Sequence, residues 1–538
     1  MALIDYILNA EDADVLTTEG GDPILAFQVN NEPLTYGFAV DWNGDSYLDD
    51  VNESERVLKW STSRGRERIF NPSGNGFNPY EIGRLTVTLD NHDGRYNPWN
   101  TESPLYGYIM PGRNMQFKVA VYSSTSTFEH DSYFVFTGTV IDIQMNGHNK
   151  TVNIICEDGW RYLADNIFVK MPYGVNYSGT AGELHRPVNW DLVFDTNELK
   201  YEYRKHSKWP WGIDYHFPST WDWDTIPRHW WWNGTTKGAI EMITFGSLGR
   251  SWINANGAID FAEVTESTDA AVATLDEDYL LDDVYLPMPW ENLRSEVILR
   301  GSNNLWWGRR KTLGTLREPM KIDAGATVEF SIPIKNDEID NCICTKISNI
   351  TVEAFANADG TGTDITASID DDLAYDTRNF HITAINRGAT SGYITTYTIT
   401  GDPVTIAETE WRYESTGYYR YSSFLLDNPW LSITAIGSTN NYVTPTTTTY
   451  NDEDRINTVG NTLIDYLSIP RYYPVVKMRG RYQEQFQLEL EDKVTLTMPT
   501  LQVDDDFRIS KIAHQSMTTT QDILTTLWLY PVMTASTD

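Results

Sequence analysis

Between residues 35 and 165 apolar and polar positions alternate in short runs, each closed by turn residues. In RLTVTLD, Leu85, Val87 and Leu89 fall on one side of an extended chain and Arg84, Thr86 and Thr88 on the other, the period of a half-buried strand. The same period recurs in QFKVAVY at Phe117, Val119 and Val121, and in TVNIICED at Val152, Ile154 and Cys156. Turn residues separate these runs, with SRGR at 63 to 66, DNHDGRYNP at 90 to 98 and MPGRN at 110 to 114. Several strands at this spacing predict a small barrel or sandwich.

Beyond Asp158 the alternation stops. Residues 166 to 235 show no clean period, and KWPWGIDYHFPSTWDWDTIPRHWWWNG at 208 to 234 carries too much proline and glycine for a long helix. That stretch reads as an ordered loop or insertion. A helix is expected over 236 to 249, with Ala239, Ile240 and Ile243 on one stripe, then a hairpin in SWINANGAIDFAE turned by NANG. PWENLRSEVILRG at 289 to 301 predicts a strand, and 320 to 410 predicts short strands with Gly, Asp and Thr turns, a second β module inserted in the chain. Ile456, Val459, Leu463 and Leu467 recur at helical spacing over 453 to 468, with Asn451 or Asp452 as N-cap. Strands return in FQLELEDKVTLTM, DFRISKIAHQ and ILTTLWLYPV.

Composition narrows the function classes. A chain of 538 residues has material for three to four domains at about 150 residues each. The three cysteines, Cys156, Cys342 and Cys344, match no zinc or redox spacing and fit a protein made in a reducing compartment. The start, MALIDYILNAEDAD, lacks a basic region ahead of its apolar residues, so a secretory signal is not expected, and no apolar run approaches the roughly 18 residues of a membrane span. A net charge of -34 gives no counterion-release drive for gripping nucleic acid. By the same sign, such a surface would let DNA pass without holding it. Aromatic residues make up 13% of the chain, which suits strands and large interfaces alike.

The stretch LTVTLDNHDGRYNPWNTESPLYGYIMPGRNMQF at 85 to 117 resembles tail-tip proteins of long-tailed bacteriophages, the minor tail and baseplate hub class. KWSTSRGRERIFNPSGNGF before it and FTGTVIDIQMNGHNKTVNIICEDGWRYL after it continue the likeness in the same order. INANGAIDFAE, ENLRSEVILRG, LELEDKVTLTM, FRISKIAHQ and LTTLWLYP are similar to later segments of such proteins, so the resemblance covers about two thirds of the chain. It implies a mainly β, multidomain chain with some α structure: two hub-type β-barrels, an inserted mixed α/β domain and an inserted β-sandwich-like module.

The expected order is an N-terminal segment 1–34, a first barrel 35–165, a mixed domain with the Trp-rich insertion 166–288, and a strand at 289–319 returning to the second barrel. The inserted module 320–410, a linker and helix 411–482 and the second barrel 483–538 follow. The resemblance further implies a homotrimer in the virion, assembled in the host cytoplasm. Its six barrels would meet a hexameric tail tube, the distal tail protein and tape measure protein above, fibre or spike proteins below, and DNA in the lumen. Alternatives are the hexameric distal tail protein, which would lack a second barrel, and a carbohydrate-binding adhesin. A cell-wall hydrolase is not expected, since the chain stops at Asp538 after the last strand.

Two candidate sites stand beside that reading. In DWNGDSYLDD, Asp41, Asn43, Asp45, Tyr47 and Asp49 occupy positions 1, 3, 5, 7 and 9 of a calcium-loop pattern. Ser46 stands where that pattern wants glycine, and Asn52 where it wants a bidentate glutamate. The competing reading is a strand-connecting loop of Asx-turns. Trp209, Trp211, Trp221, Trp223, Trp230, Trp231 and Trp232 could stack on glycans, touch a membrane interface, or anchor a protein interface. DNHDG at 90 to 94 reads as a β-turn with Gly94 at positive φ. His206, His216 and His229 sit at irregular separations that match no zinc pattern, and no HExxH, GxSxG or Walker loop is present. No catalytic residues are assigned.

Overall fold

The computed structural model describes residues 35–44, 48, 53–71, 76–122, 130–165, 167–168, 215–216, 234–246, 248–263, 270–277, 280, 284–306, 310–336, 342–375, 379–415, 422–436, 452–480, 484–517 and 522–533. The chain is mainly β with some α, in several sheets and several modules.

The first sheet is β1 (Thr35–Val40), β2 (Val57–Gly65), β3 (Glu81–Asp90), β4 (Asn114–Tyr122), β5 (His130–Asn146) and β6 (Thr151–Glu157), in the order β1-β4-β5-β6-β3-β2. The alternation read from the sequence is the burial pattern: Leu85, Val87, Leu89, Phe117, Val119, Val152 and Ile154 are fully buried in one core. All six strands feed that core, which a flat sheet could not arrange. Trp60 of β2 lies 4.9 Å from the Phe117 ring of β4 and 6.1 Å from Tyr36 of β1, although β1 and β2 end the strand order. The sheet therefore rolls until its ends meet. Glu53 donates its N–H to the Phe38 carbonyl at 3.1 Å, and Phe38 donates to Ser54 Oγ at 3.0 Å, covering the outer edge of β1.

After β6, α1 (Trp160–Asp165) begins the mixed region, followed by β7 (Ile167–Phe168), β8 (Tyr215–His216), β9 (Gly234–Thr235), α2 (Thr236–Gly246), β10 (Gly249–Ile253) and β11 (Ile259–Glu263). Asp158 caps α1 by accepting the Trp160 N–H at 3.0 Å, and its second oxygen accepts the Gly83 N–H at 2.8 Å, tying the helix to β3. The NANG segment turns the β10–β11 hairpin, Gly257 at φ +93° supplying the left-handed residue.

β12 (Ala273–Asp276) precedes the inserted region, which holds β13 (Glu296–Trp306), β14 (Lys311–Thr315), β15 (Met320–Ile322), β16 (Thr327–Pro333), β17 (Cys342–Phe355), β18 (Ile369–Tyr375), β19 (Asn379–Asn386), β20 (Gly392–Glu414) and β21 (Ser423–Ile436). The 23-residue β20 serves two layers. Its first half, with β14, β15 and β17, faces the β16-β19-β18 sheet across a core of Leu313, Ile332, Phe380, Ile382, Tyr397 and Ile399, a sandwich-like module. Its second half pairs with β13, which also pairs with β21. Helix α3 (Asp452–Leu467) lies on that part, burying Ile456, Val459, Leu463 and Leu467 against Val297, Leu299, Phe424 and Leu426. Gly460 makes this packing possible, because a Cβ there would stand 2.1 Å from the Tyr413 ring.

β22 (Val475–Gly480), α4 (Glu484–Gln487), β23 (Lys493–Met498), β24 (Val503–Ser516) and β25 (Ile523–Pro531) complete the chain. With β12 they form the second curved sheet, in the order β12-β23-β24-β25-β22, around Leu275, Val476, Val494, Leu496, Ile509, Ile512 and Leu527. Here the structure differs from the sequence reading. The strand within 289–302 does not join the C-terminal strands, since β13 is paired on both edges by β20 and β21. The outer place beside β23 is taken by β12, in parallel, and Tyr285 bridges Val475 on the β22 side. Alternation in β13 specifies a half-buried strand but not its sheet, because partner choice is decided by packing far along the chain.

Candidate functional site

The two curved sheets are one continuous sheet. β24 pairs with β23 over its first half, Val503 to Arg508, and with β2 over its second, Lys511 to Gln515 opposite Gly65 to Ser61. Trp60 and Ser516 close the end of this seam, Trp60 donating its N–H to Ser516 Oγ at 2.8 Å and Ser516 donating back to the Trp60 carbonyl at 3.1 Å. At the other end Gly65 leaves the strand at φ +109°, and a Cβ there would stand 2.2 Å from the Ser510 carbonyl. Only glycine fits this crossing.

The sheets joined here repeat one motif. Each holds an antiparallel meander, β4-β5-β6 or β23-β24-β25, flanked by earlier strands, β1 and β3 in the first and β12 and β22 in the second. Asn114 pairs with Thr139 where Lys493 pairs with Arg508. Immediately before, Gly112 donates to the Val140 carbonyl at 2.7 Å and Glu491 to the Ile509 carbonyl at 2.8 Å, while Val140 donates to Arg113 and Ile509 to Asp492. A register shift follows at once in both, between Val140 and Asp142 and between Ile509 and Lys511. The flanking strands differ in one respect: β1 runs antiparallel to β4, and β12 parallel to β23.

Buried charge fastens the mixed region to this joint. Glu491 accepts from Arg250 and from the Tyr530 hydroxyl, and Arg250 donates to that hydroxyl at 2.9 Å; all three side chains are buried. Glu489 binds Arg64 at 2.6 Å and the Ala255 N–H at 2.8 Å. Arg66 donates to the Asn78 carbonyl and lies 4.4 Å over the Tyr80 ring. Burial outweighs the cations beside it and pushes the Glu491 carboxyl up to about 7, and it pulls Arg250 down to about 10. Removing one partner from such a pair costs about 3–5 kcal/mol. Sequence reading did not single out these residues. Runs such as LELED and SRGRER carry charge beside strand alternation, but nothing local says that Arg250 meets Glu491.

The residues expected to form sites fall as follows. Asp41 and Asn43 follow β1; Asp41 is buried, and its Oδ1 accepts the N–H of Gly44, three residues on, at 2.8 Å. Asp45, Tyr47 and Asp49 lie outside the described residues, as do Trp209, Trp211, Trp221, Trp223, Trp230, Trp231 and Trp232. Among the described residues no cluster of His, Cys, Asp and Glu is arranged to hold a metal. Gly94 has φ +70° in the DNHDG turn, and the following segment is a ladder of turns in which Gly94, Asn97, Asn100, Ser103 and Tyr106 each donate to the carbonyl three residues earlier. Its root is fixed by buried Glu53, which binds Arg95 at 2.9 Å and accepts from the Tyr96 hydroxyl. Its tip presents Trp99, 77% exposed, with Tyr106, Tyr108 and Met110. A rigid aromatic tip of this kind suits an interface.

No family model matches the sequence, and no curated protein matches it. Among solved structures, the chain is similar to the tail protein from Neisseria meningitidis MC58, with a TM-score of 0.44 and 7% identity over 93% of this chain and 96% of that one. It is similar to the 43 kDa tail protein of prophage MuSo2 from Shewanella oneidensis, with a TM-score of 0.40 and 10% identity over 93% and 98%. A prophage tail protein from Listeria monocytogenes EGD-e gives a TM-score of 0.38 and 9% identity over 92% and 94%.

Proposed function

We propose that this chain is a structural hub of a phage tail tip, a trimeric ring that joins a hexameric tail tube to distal tip proteins and encloses part of the DNA exit channel. The supporting observation is the repeat of one hydrogen-bonding pattern in two sheets of a single chain, Gly112–Val140–Asp142 in the first and Glu491–Ile509–Lys511 in the second. Three chains then present six like sheets, so a threefold ring mates with a sixfold tube. The function is mechanical. Rigidity comes from the continuous sheet and its buried charges, and no bond is made or broken.

The net charge of -34 fits the same role, because a wall of that sign does not adsorb the DNA it guides. The distal tail and tape measure proteins would bind on the tube side, and fibre or spike proteins on the other. Among the described residues no helix is long and apolar enough to cross a membrane. Native mass spectrometry of the full chain tests the reading: three times the 61.5 kDa subunit is expected. Six copies would favour the distal tail protein, and a monomer at all concentrations would overturn both.

A further inference from the structure

At the seam, β2 is bonded on both edges, by β3 on one side and β24 on the other. The repeat identifies the counterpart of each partner. Asp142 pairs with Ile155 and Lys511 with Trp528 just after the two register shifts, so Asp142 to Asn146 of β5 correspond to Lys511 to Gln515 of β24. Thr86 lies beside Ile155 as Val475 lies beside Trp528. Ser61 pairs with Thr86, and Tyr285 bridges Val475, so the segment 285–289 is the second sheet's counterpart of Ser61 to Gly65. Tyr473 donating to the Pro287 carbonyl at 2.9 Å extends the match.

Within one chain β2 and β24 are joined. Among the described residues no strand pairs with their counterparts on the corresponding edges, Asp142 to Asn146 and 285–289. We propose that segment 285–289 of one copy pairs antiparallel with Asp142 to Asn146 of a second copy, in the register of the intrachain seam. Tyr285 then stands opposite Asn146, Leu286 opposite Met145, Pro287 opposite Gln144 and Met288 opposite Ile143.

The donor pattern fits. Trp60 and Arg66 send their N–H groups toward β24, so Thr62 and Arg64, of the same parity, face it too. Their counterparts are Leu286 and Met288, which have N–H groups. Pro287 and Pro289 fall on the alternate positions that face β22, where a missing donor leaves the outer edge intact. On β5 the Ile143 N–H is received at 2.8 Å by the Asp142 carboxylate of the adjacent residue, a bond that a neighbouring strand can replace. Exposure fits as well. At the intrachain seam Arg64 and His514 are each 4% exposed, whereas their counterparts Met288 and Met145 are 44% and 39% exposed, and Tyr285 is 66% exposed. A second copy is the occupant because the same two edge types already join within one chain. The contact is head-to-tail, so it propagates until a ring closes. That closure comes at three copies rests on the hub reading; the edge pairing does not.

The test is oxidation of the full chain carrying both Tyr285→Cys and Asn146→Cys. Opposed residues of a non-hydrogen-bonded antiparallel pair lie about 4.5 Å apart at Cα, within disulfide range. Non-reducing gels should show covalent dimers and trimers with nothing larger, while Tyr285→Cys with Gln144→Cys, two residues out of register, cross-links several-fold less. Absence of cross-links in a chain that is trimeric in solution overturns the edge pairing and leaves the hub reading standing. A ladder reaching six supports the edge pairing and overturns the threefold ring. Equal cross-linking at both registers, or a chain that stays monomeric, overturns the pairing.

Discussion

Gly112 and Glu491 hold the same place in two sheets: φ is +88° and +68°, and each donates its N–H to the strand residue just before the register shift, Val140 at 2.7 Å and Ile509 at 2.8 Å. The first sheet uses glycine, for which this conformation carries no penalty. The second uses a glutamate that must stay, because its carboxylate receives Arg250 and Tyr530.

The pair therefore responds unequally to alanine. A Cβ on Gly112 meets nothing within 4 Å, so Gly112→Ala costs only the strained backbone, about 1–2 kcal/mol. Glu491→Ala removes the carboxylate that Arg250 holds in the buried joint and costs about 3–5 kcal/mol. Urea unfolding of both variants checks this order, and equal losses would contradict it.

Stability between pH 4 and 7 is a balance of opposite signs. Burial raises Asp158 to about 7 and Asp492 to about 6, so across this window the folded chain keeps protons that the unfolded chain has released. Acidification stabilises through these groups, and that contribution is lost as pH rises through their folded values. Burial lowers His514 to about 3, so below about 6.5 the unfolded chain takes up a proton that the folded chain refuses, and acidification destabilises. His514→Asn should therefore gain more stability than the native chain on going from pH 7 to 4.5. Parallel curves from denaturant titrations would show that His514 does not contribute.

Gly460→Ala separates helix propensity from packing. Alanine favours the helix by about 1 kcal/mol, but its Cβ would meet the Tyr413 ring at 2.1 Å, where overpacking costs about 1–3 kcal/mol. A net loss of stability is expected, relieved when Tyr413→Leu is added. Additive effects in that double-mutant cycle would remove the contact as the cause.

Calcium should leave the melting midpoint unchanged. Asp41 already spends Oδ1 on the Gly44 N–H, and the Arg113 guanidinium packs so close that a Cβ on Gly44 would lie 2.0 Å from it. A cation beside the loop opposes a second one. A midpoint that rises with millimolar calcium would establish binding by the native state.

What was legible in the sequence was local. Period-two alternation located β3, β4 and β6 and their buried faces, NANG located the hairpin turn, and the spacing of Ile456 to Leu467 located α3. Long-range partners were not legible. β12 is four residues long and pairs with strand β23, more than 200 positions later, while β13 has a pattern that any half-buried site accepts. The doubling of the sheet was implied only by the resemblance and could not be read from the residues themselves, because the repeat is written in backbone bonds and left-handed residues, with glycine at one copy and glutamate at the other. The acidic loop and the Trp-rich stretch were plain in the sequence, but Asp45, Tyr47, Asp49 and the seven tryptophans lie outside the described residues.

A symmetric cryo-EM reconstruction of the assembled full chain tests the central claim most directly. The account predicts three chains around a channel, with six meanders, β4-β5-β6 and β23-β24-β25 in alternation, repeating at about 60° as threefold closure with two like sheets requires. A ring of six chains, or one whose two meanders stand at unrelated radii and angles, would contradict it.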